Sequence, residues 1–193
     1  MARAHRKGPS SPKAFPKYKG ALTSCLATLG VLASEAIDGR AERKPDTLAI
    51  YHLSTKPVSR ASGRSAVAAM AYRAGVSLTN ERDGLTHDYT AKRGVVHAEI
   101  VLPEGVEAAW ARDRSDLWNG AEAAEKRKDA RVAREFEIAL PHELSAEERL
   151  AATREFAQGL ADRYGAAVDF AIHAPHEESD VRNFHAHVLM TTR

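Results

Sequence analysis

The sequence predicts an α+β protein: a mostly antiparallel sheet of about five strands, with helices packed on one of its faces. Two observations lead to this prediction. Segments in which polar and apolar residues alternate, as in strands with one covered face, are interspersed with longer segments that carry helix caps. These elements follow the order β-α-β-α-β-α-β-β along the chain, and no internal repeat is visible.

The strands and helices can be placed from local signals. Strands are predicted where β-branched and aromatic residues cluster, at residues 48–54, 94–102, 135–140, 167–173 and 184–191. Helices are predicted at 65–74, which Ser65 caps and Gly75 ends; at 106–132, with a break near Gly120; and at 145–164, which a Ser-Ala-Glu-Glu capping box opens. A polar loop is expected between the first helix and the strand at 94–102.

Composition limits the class of protein. The 193 residues are 44% hydrophobic, which suffices for the core of one ordinary domain. No apolar run approaches the roughly 20 residues of a membrane span. The single cysteine, Cys25, excludes an internal disulfide framework and fits a reducing compartment. We therefore expect a cytoplasmic protein without membrane insertion.

Charge is distributed unevenly and divides the chain in two. Residues 1–46 hold nine Lys/Arg against four Asp/Glu, a net charge of +5, and we expect a basic extension that is disordered or weakly helical. The globular domain is expected to cover residues 47–193. Within it, residues 56–93 hold seven basic against three acidic residues. Such a segment is either a solvated charged face or a surface that binds a polyanion.

Three histidines suggest a metal site. His185 and His187 alternate along one predicted strand and therefore share a face, and His173 ends another strand. Neighbouring strands lie about 4.8 Å apart, so three imidazoles can converge on one ion and leave open coordination positions. His176 is a competing third ligand, nearer in sequence to the pair but in a loop.

Two further residue types complete a candidate active site. Glu135 and Glu137 alternate on a predicted strand, where a carboxylate can accept the second N–H of a metal-bound imidazole. Tyr72 lies near the end of the first helix. It is either a core tyrosine or a nucleophile whose phenol is activated by a nearby cation. Tyr89, in the predicted loop, is an alternative nucleophile.

Several segments together resemble one known family. They are Leu-Ala-Ile-Tyr-His-Leu-Ser (48–54), Ser-Arg-Ala-Ser-Gly-Arg-Ser-Ala (59–66), Ala-Tyr-Arg-Ala-Gly (71–75), Arg-Glu-Phe-Glu-Ile-Ala-Leu-Pro (134–141) and the run from Ala-Ile-His to Arg-Asn-Phe-His-Ala-His (171–187). In this order they resemble the MobA/MobL plasmid mobilisation relaxases. These are conjugative DNA nickases of the HUH endonuclease superfamily, sometimes grouped with TraA-type nickase-helicases. The resemblance covers residues 47–193.

The resemblance implies a fold, an activity and a set of site residues. It implies the HUH relaxase fold and a bacterial enzyme, encoded on a plasmid or other mobile element, that nicks one DNA strand at an origin of transfer through a 5′-phosphotyrosine. By position, the family's metal ligands fall on His173, His185 and His187, its catalytic tyrosine on Tyr72, and its active-site glutamates on Glu135 and Glu137. The implied cofactor is a divalent metal ion, Mg²⁺ or Mn²⁺.

The resemblance also implies partners. They are single-stranded or hairpin DNA of the origin, relaxosome accessory proteins and a coupling protein. Four arginines are candidates for contacts with DNA phosphates: Arg60, Arg64, Arg73 and Arg93.

Two departures from the family keep other functions open. Family members begin close to the first strand and continue well past the His-x-His strand. We therefore expect residues 1–46 to be an extension and the domain to be truncated at its C-terminus. The alternatives are a relaxase fragment that binds origin DNA without cutting it, a rolling-circle replication initiator, and a hydrolase with a water nucleophile.

Overall fold

A computed structural model describes residues 52–176 and 180–192. The predicted extension over 1–46 and the beginning of the first predicted strand lie outside the described residues. Within them, the strands are β1 (Leu53–Ser59), β2 (Ser77–Asn80), β3 (Leu85–Asp88), β4 (Val95–Val101), β5 (Arg131–Leu140), β6 (Val168–His173) and β7 (Phe184–Thr191). The α-helices are α1 (Ala66–Ala74), α2 (Arg114–Ala124) and α3 (Ala146–Tyr164).

Five of these strands form the main sheet, in the order β1-β5-β7-β6-β4. Every neighbouring pair is antiparallel, which confirms the predicted fold class. Strand β7 is central, while β1 and β4 form the two edges. In the part of the chain that is described, no helix is both long enough and apolar enough to cross a membrane.

Helices cover both faces of this sheet, so the prediction that they pack on one face is wrong. Helix α3 packs against a face that includes Phe136, Phe170 and Val188. Helices α1 and α2 pack against the opposite face, where Ala133, Ala171 and Leu189 are buried. The alternation in β5, β6 and β7 marks one face as apolar, but the second face is apolar too at the end away from the histidines.

The loop predicted after α1 is instead a β-hairpin. Strands β2 and β3 pair antiparallel, from Ser77 opposite Asp88 to Asn80 opposite Leu85. The turn contains Asp83-Gly84, and Gly84 has a φ of 72°, a left-handed conformation that glycine adopts without strain. Asp-Gly between two short segments with β propensity favours a hairpin turn, so the hairpin could have been predicted from the sequence.

The middle helical segment is also shorter than the predicted 106–132. A 3₁₀ turn covers Ala109–Arg112, and α2 follows it from Arg114 to Ala124. The break lies at Asp113, whose side chain accepts the backbone N–H of Asp116 and so caps α2. Gly120 lies inside α2, and residues from Arg131 onward already belong to β5.

Helix α1 has the predicted ends. The Ser65 hydroxyl accepts the N–H of Ala68, and Gly75 ends the helix with a φ of 65°. A Cβ on Gly75 would come within 3.3 Å of the Val95 side chain. Glycine therefore allows both the left-handed turn and the close approach of the helix end to β4.

A buried carboxylate in α2 fixes the other end of α1. Glu122 accepts the backbone N–H of Ala66, the first residue of α1, at 2.8 Å. It also pairs with the Arg60 guanidinium, whose side chain is 8% exposed. Because the first N–H groups of a helix have no partner within the helix, this carboxylate compensates the start of α1.

A second buried carboxylate joins α2 to the sheet. Asp169 in β6 is fully buried and accepts two N–H bonds from Arg114, at 2.7 and 2.9 Å, and one from the Trp118 indole, at 2.9 Å. Burial raises the pKa of Asp169, whereas its bonds with Arg114 and Trp118 act in the opposite direction.

Replacement of Asp169 with alanine is expected to destabilise the domain by about 3–5 kcal/mol, because it leaves the Arg114 charge and the Trp118 N–H without their partner. The measurement is the free energy of unfolding from urea titration. Asp129→Ala is the matched control, since Asp129 forms an exposed pair with Arg127. Equal urea midpoints for the two variants would contradict this role of Asp169.

Candidate active site

Three imidazoles lie together at the end of the sheet face that α1 and α2 leave uncovered. His173 and His185 are directly opposite each other in the β6–β7 ladder, and His187 lies two residues further along β7. The ring centroids are 5.1, 5.1 and 5.2 Å apart. One ligand nitrogen from each ring lies within 4.8 Å of the other two, a spacing compatible with one shared ion.

The other nitrogen of each ring has a protein acceptor, which sets the tautomer. His173 Nε2 donates to the backbone carbonyl of Arg73 at 2.7 Å, and His185 Nδ1 to that of Asn183 at 3.1 Å. His187 Nδ1 donates to the Glu135 carboxylate at 3.0 Å. Because these acceptors need a proton on the ring, the lone pairs left for an ion are on Nδ1 of His173 and Nε2 of the other two.

Two of the histidines are held in the neutral form that binds metals. Burial lowers the pKa of His173 to about 4, and the Lys92 ammonium acts in the same direction. Burial also lowers the pKa of His185. Neutral imidazoles at neutral pH are ready to coordinate without first losing a proton. His176, the competing ligand from the sequence, does not belong to this group of three.

Glu135 connects the histidine triad to helix α1. Its buried carboxylate accepts from His187 and pairs with the guanidinium groups of Arg64 and Arg73. Burial would raise the pKa of Glu135, but these three partners together lower it to about 2. At neutral pH Glu135 is therefore an anion that orients His187, and it is a weak proton acceptor.

Glu137, the second predicted glutamate, has different contacts. It lies opposite His187 in the β5–β7 ladder, and its carboxylate pairs with Lys56 at 3.3 Å. Burial raises the pKa of Glu137, but the Lys56 ammonium outweighs that effect and leaves the pKa below its usual range. Glu137 thus contributes negative charge beside the triad while Glu135 makes the direct contact.

Tyr72 lies in the last turn of α1, beside the triad rather than in the core. Its side chain is 48% exposed. The next residue, Arg73, is the one whose carbonyl accepts from His173. The Tyr72 ring packs edge-on against Tyr89, with centroids 5.2 Å apart. The interpretation of Tyr72 as a core tyrosine is therefore wrong, and its exposure leaves the phenol accessible to a substrate.

The four candidate arginines have unequal surroundings. All five N–H groups of Arg60 donate to Glu122 or to the carbonyls of residues 122, 125 and 127. Arg60 is therefore structural, which corrects its prediction as a phosphate contact. Arg73 pairs with Glu135 and donates to the Ala69 carbonyl. Arg64 is about one third exposed and Arg93 is exposed, so these two stay candidates.

One residue of the site was missed by sequence reasoning. The Lys92 ammonium lies over the Tyr72 ring, 3.7 Å from its centroid. A lysine in a polar segment normally indicates only a solvated surface, and its approach to α1 depends on the path of the hairpin.

Comparison with known proteins identifies the family and the fold of this chain. The sequence model of the MobA/MobL family matches residues 64–193. A mobilization protein MobL from Acidithiobacillus ferridurans is 50% identical over 165 residues, which cover 75% of this chain and 43% of the relative. A conjugal transfer protein TraA from Rhizobium radiobacter is 41% identical over 156 residues, which cover 76% of this chain and 14% of TraA.

A solved structure, described as "Molecular Basis of Vancomycin Resistance Transfer in Staphylococcus aureus", has the same fold. It matches with a TM-score of 0.68 and 36% sequence identity, and the match covers 75% of this chain and 71% of that one. This chain belongs to the MobA/MobL family, and it spans less than half the length of the MobL and TraA relatives that it matches.

Replacement of His185 with alanine is expected to abolish uptake of Mn²⁺, because two imidazoles cannot replace the set of three. The measurement is metal stoichiometry by isothermal titration calorimetry. His97→Ala is the matched control, since His97 is a strand histidine that packs against Phe170, on the face covered by α3, and pairs with Glu99. Unchanged metal stoichiometry in the His185 variant would exclude this ligand set.

Replacement of Glu135 with glutamine is expected to weaken Mn²⁺ binding by about 10–100-fold, because His187 loses the anion that fixes its tautomer. Glu137→Gln should have a smaller effect, since Glu137 directs its hydrogen bond to Lys56 rather than to a triad histidine. Both affinities can be measured by the same titration. A larger loss for the Glu137 variant would reverse the roles that we give to the two carboxylates.

Proposed function

We propose that this chain is the nicking domain of a conjugative relaxase, a metal-dependent transesterase that cuts one DNA strand at an origin of transfer. The observation that carries the proposal is the bond from His173 to the Arg73 carbonyl, because it joins the histidine triad to the turn that bears Tyr72. Membership of the MobA/MobL family supports the same activity.

The proposed metal ligands are His173, His185 and His187. Their ring orientations and the burial that keeps His173 and His185 neutral fit a divalent cation such as Mg²⁺ or Mn²⁺. When bound, such a cation would draw the non-bridging oxygens of a phosphate to the triad and offset the charge that develops on them. Glu135 holds His187 in the ligating tautomer, and Arg64 and Arg73 keep Glu135 anionic.

In the proposed reaction, the Tyr72 phenol oxygen attacks the phosphorus of the scissile diester. The new bond joins the tyrosine to the 5′-phosphate, and the bond from phosphorus to the 3′-oxygen breaks. The phenol gives up one proton and the departing oxygen gains one, so no water, nucleotide or oxidant is consumed. Because one phosphodiester replaces another, the reverse reaction can rejoin the strand after transfer.

The proposed substrate is single-stranded or hairpin DNA at the origin. Arg64 and Arg93 are the candidates for contacts with the flanking phosphates, which position the strand without reading its sequence. Relaxosome accessory proteins and a coupling protein are the proposed partners, in line with relatives named for mobilization and conjugal transfer.

Incubation with an oligonucleotide spanning the origin and with Mn²⁺ is expected to give a denaturation-resistant protein–DNA adduct, which Tyr72→Phe abolishes because it removes the attacking oxygen. The measurement is a gel shift of labelled DNA under denaturing conditions. Tyr89→Phe is the matched control and should keep the adduct.

Each other outcome selects a different function. An adduct that persists in the Tyr72 variant moves the nucleophile to another residue. Cleavage without an adduct indicates a water nucleophile. Binding without cleavage by the unaltered protein indicates a non-catalytic relaxase fragment.

A further inference from the structure

Lys92 contacts both the side chain and the backbone of Tyr72. It lies in the segment that joins β3 to β4, and its ammonium donates to the backbone carbonyl of Tyr72 at 2.9 Å. That carbonyl belongs to the last turn of α1 and has no partner within the helix. The same ammonium lies 3.7 Å from the centroid of the Tyr72 ring, a cation–π contact. These two contacts fix the charge beside the phenol.

Among the described residues, the charged group that shifts the pKa of Lys92 is another cation, Arg73. Within residues 52–176 and 180–192, no carboxylate pairs with Lys92. Burial lowers the pKa of Lys92 to about 8, and the Arg73 guanidinium adds to the decrease. The same ammonium lowers the pKa of His173 and His185, so its charge acts on the triad itself. A partly buried cation that has no carboxylate partner among the described residues, and whose charge acts on two of the three imidazoles, is a site where an anion is favoured.

The arginines near α1 differ from Lys92 in this respect. Arg60 is neutralised by Glu122, and both Arg64 and Arg73 donate to Glu135. The charges of Arg60 and Arg73 are thus paired within the domain, and Arg64, although about one third exposed, shares the Glu135 carboxylate. The Lys92 ammonium has three N–H groups, and its one hydrogen bond described here goes to the neutral Tyr72 carbonyl rather than to a carboxylate.

We propose that Lys92 is a catalytic residue that binds the scissile phosphate diester of single-stranded DNA between Tyr72 and the histidine triad. Its free N–H groups donate to a non-bridging oxygen and hold the phosphorus within reach of the phenol. The ammonium also stabilises the negative charge that builds up on the phosphate oxygens during attack. This role rests on the proposed nicking function, and the experiment below keeps the two separable.

The first measurement is the single-turnover rate of adduct formation with saturating origin oligonucleotide and Mn²⁺. Lys92→Met, which keeps an unbranched side chain and removes the charge, should slow the rate by about 10–100-fold, while Lys92→Arg keeps it within about tenfold. Lys128→Met is the matched control, and its rate should be unchanged. Lys128 is exposed and precedes β5, whose first residue, Arg131, lies roughly 20 Å along the strand from Glu137.

The second measurement requires no cleavage. In a Tyr72→Phe background, the affinity for a single-stranded oligonucleotide is measured against salt concentration. Loss of one phosphate contact in Lys92→Met should reduce the slope of log K against log salt by about 0.7. Lys92→Met should bind Mn²⁺ at least as tightly as the unaltered protein, because Lys92 is not a metal ligand and its positive charge disfavours a second cation at the triad. Lys92→Arg keeps the charge and should keep the thermal stability.

The two measurements separate the two proposals. If the unaltered protein forms no adduct, nicking fails, and the salt slope alone decides whether Lys92 binds a phosphate. If the adduct forms equally fast with Lys92→Met, the role of Lys92 is overturned and nicking stands. A reduced slope with an unchanged rate also overturns the proposal, because it moves the contact away from the scissile phosphate. A slower rate that Lys92→Arg restores, together with a reduced slope, supports it.

Discussion

One residue, Arg73, holds the helix that carries Tyr72 against the histidine triad. Its carbonyl accepts from His173, and its guanidinium pairs with Glu135, which in turn accepts from His187. Two separate routes therefore run from one residue of α1 to two of the three imidazoles. The position of the phenol and the tautomers of these rings are set by the same contacts, so α1 cannot shift without disturbing the imidazoles.

Three buried carboxylates hold the helices and strands around Arg73 together. Each of them joins two elements of the fold by pairing with an arginine. Glu122 in α2 pairs with Arg60 before α1, Asp169 in β6 with Arg114 in α2, and Glu135 in β5 with Arg73 in α1. Burial of a charge costs several kcal/mol, and a pair offsets this cost only when its geometry is good. We infer that these pairs fix how the helices lie on the sheet more than they add to net stability.

Much of the fold could be predicted because it follows from local periodicity and caps. The capping box at Ser145, the ends of α1 and the shared face of His185 and His187 are all properties of short segments. The arginines could not be assigned in this way. Arg60 and its partner Glu122 are 62 residues apart, and charge alone does not distinguish a side chain that meets a phosphate from one that meets a buried carboxylate. The approach of Lys92 to the Tyr72 ring could not be predicted either, because the two residues are 20 positions apart and meet only through the tertiary fold.

The central place of β7 has a consequence for how the protein is made. Strand β7, Phe184–Thr191, follows the other four strands of the main sheet in sequence, but it lies between β5 and β6 and carries two of the three imidazoles. A nascent chain that does not yet contain β7 therefore has two separate strand pairs, β1 with β5 and β4 with β6, and only His173 of the triad. The three imidazoles come together only when β7 pairs with β6, so a nascent chain without β7 has no assembled triad.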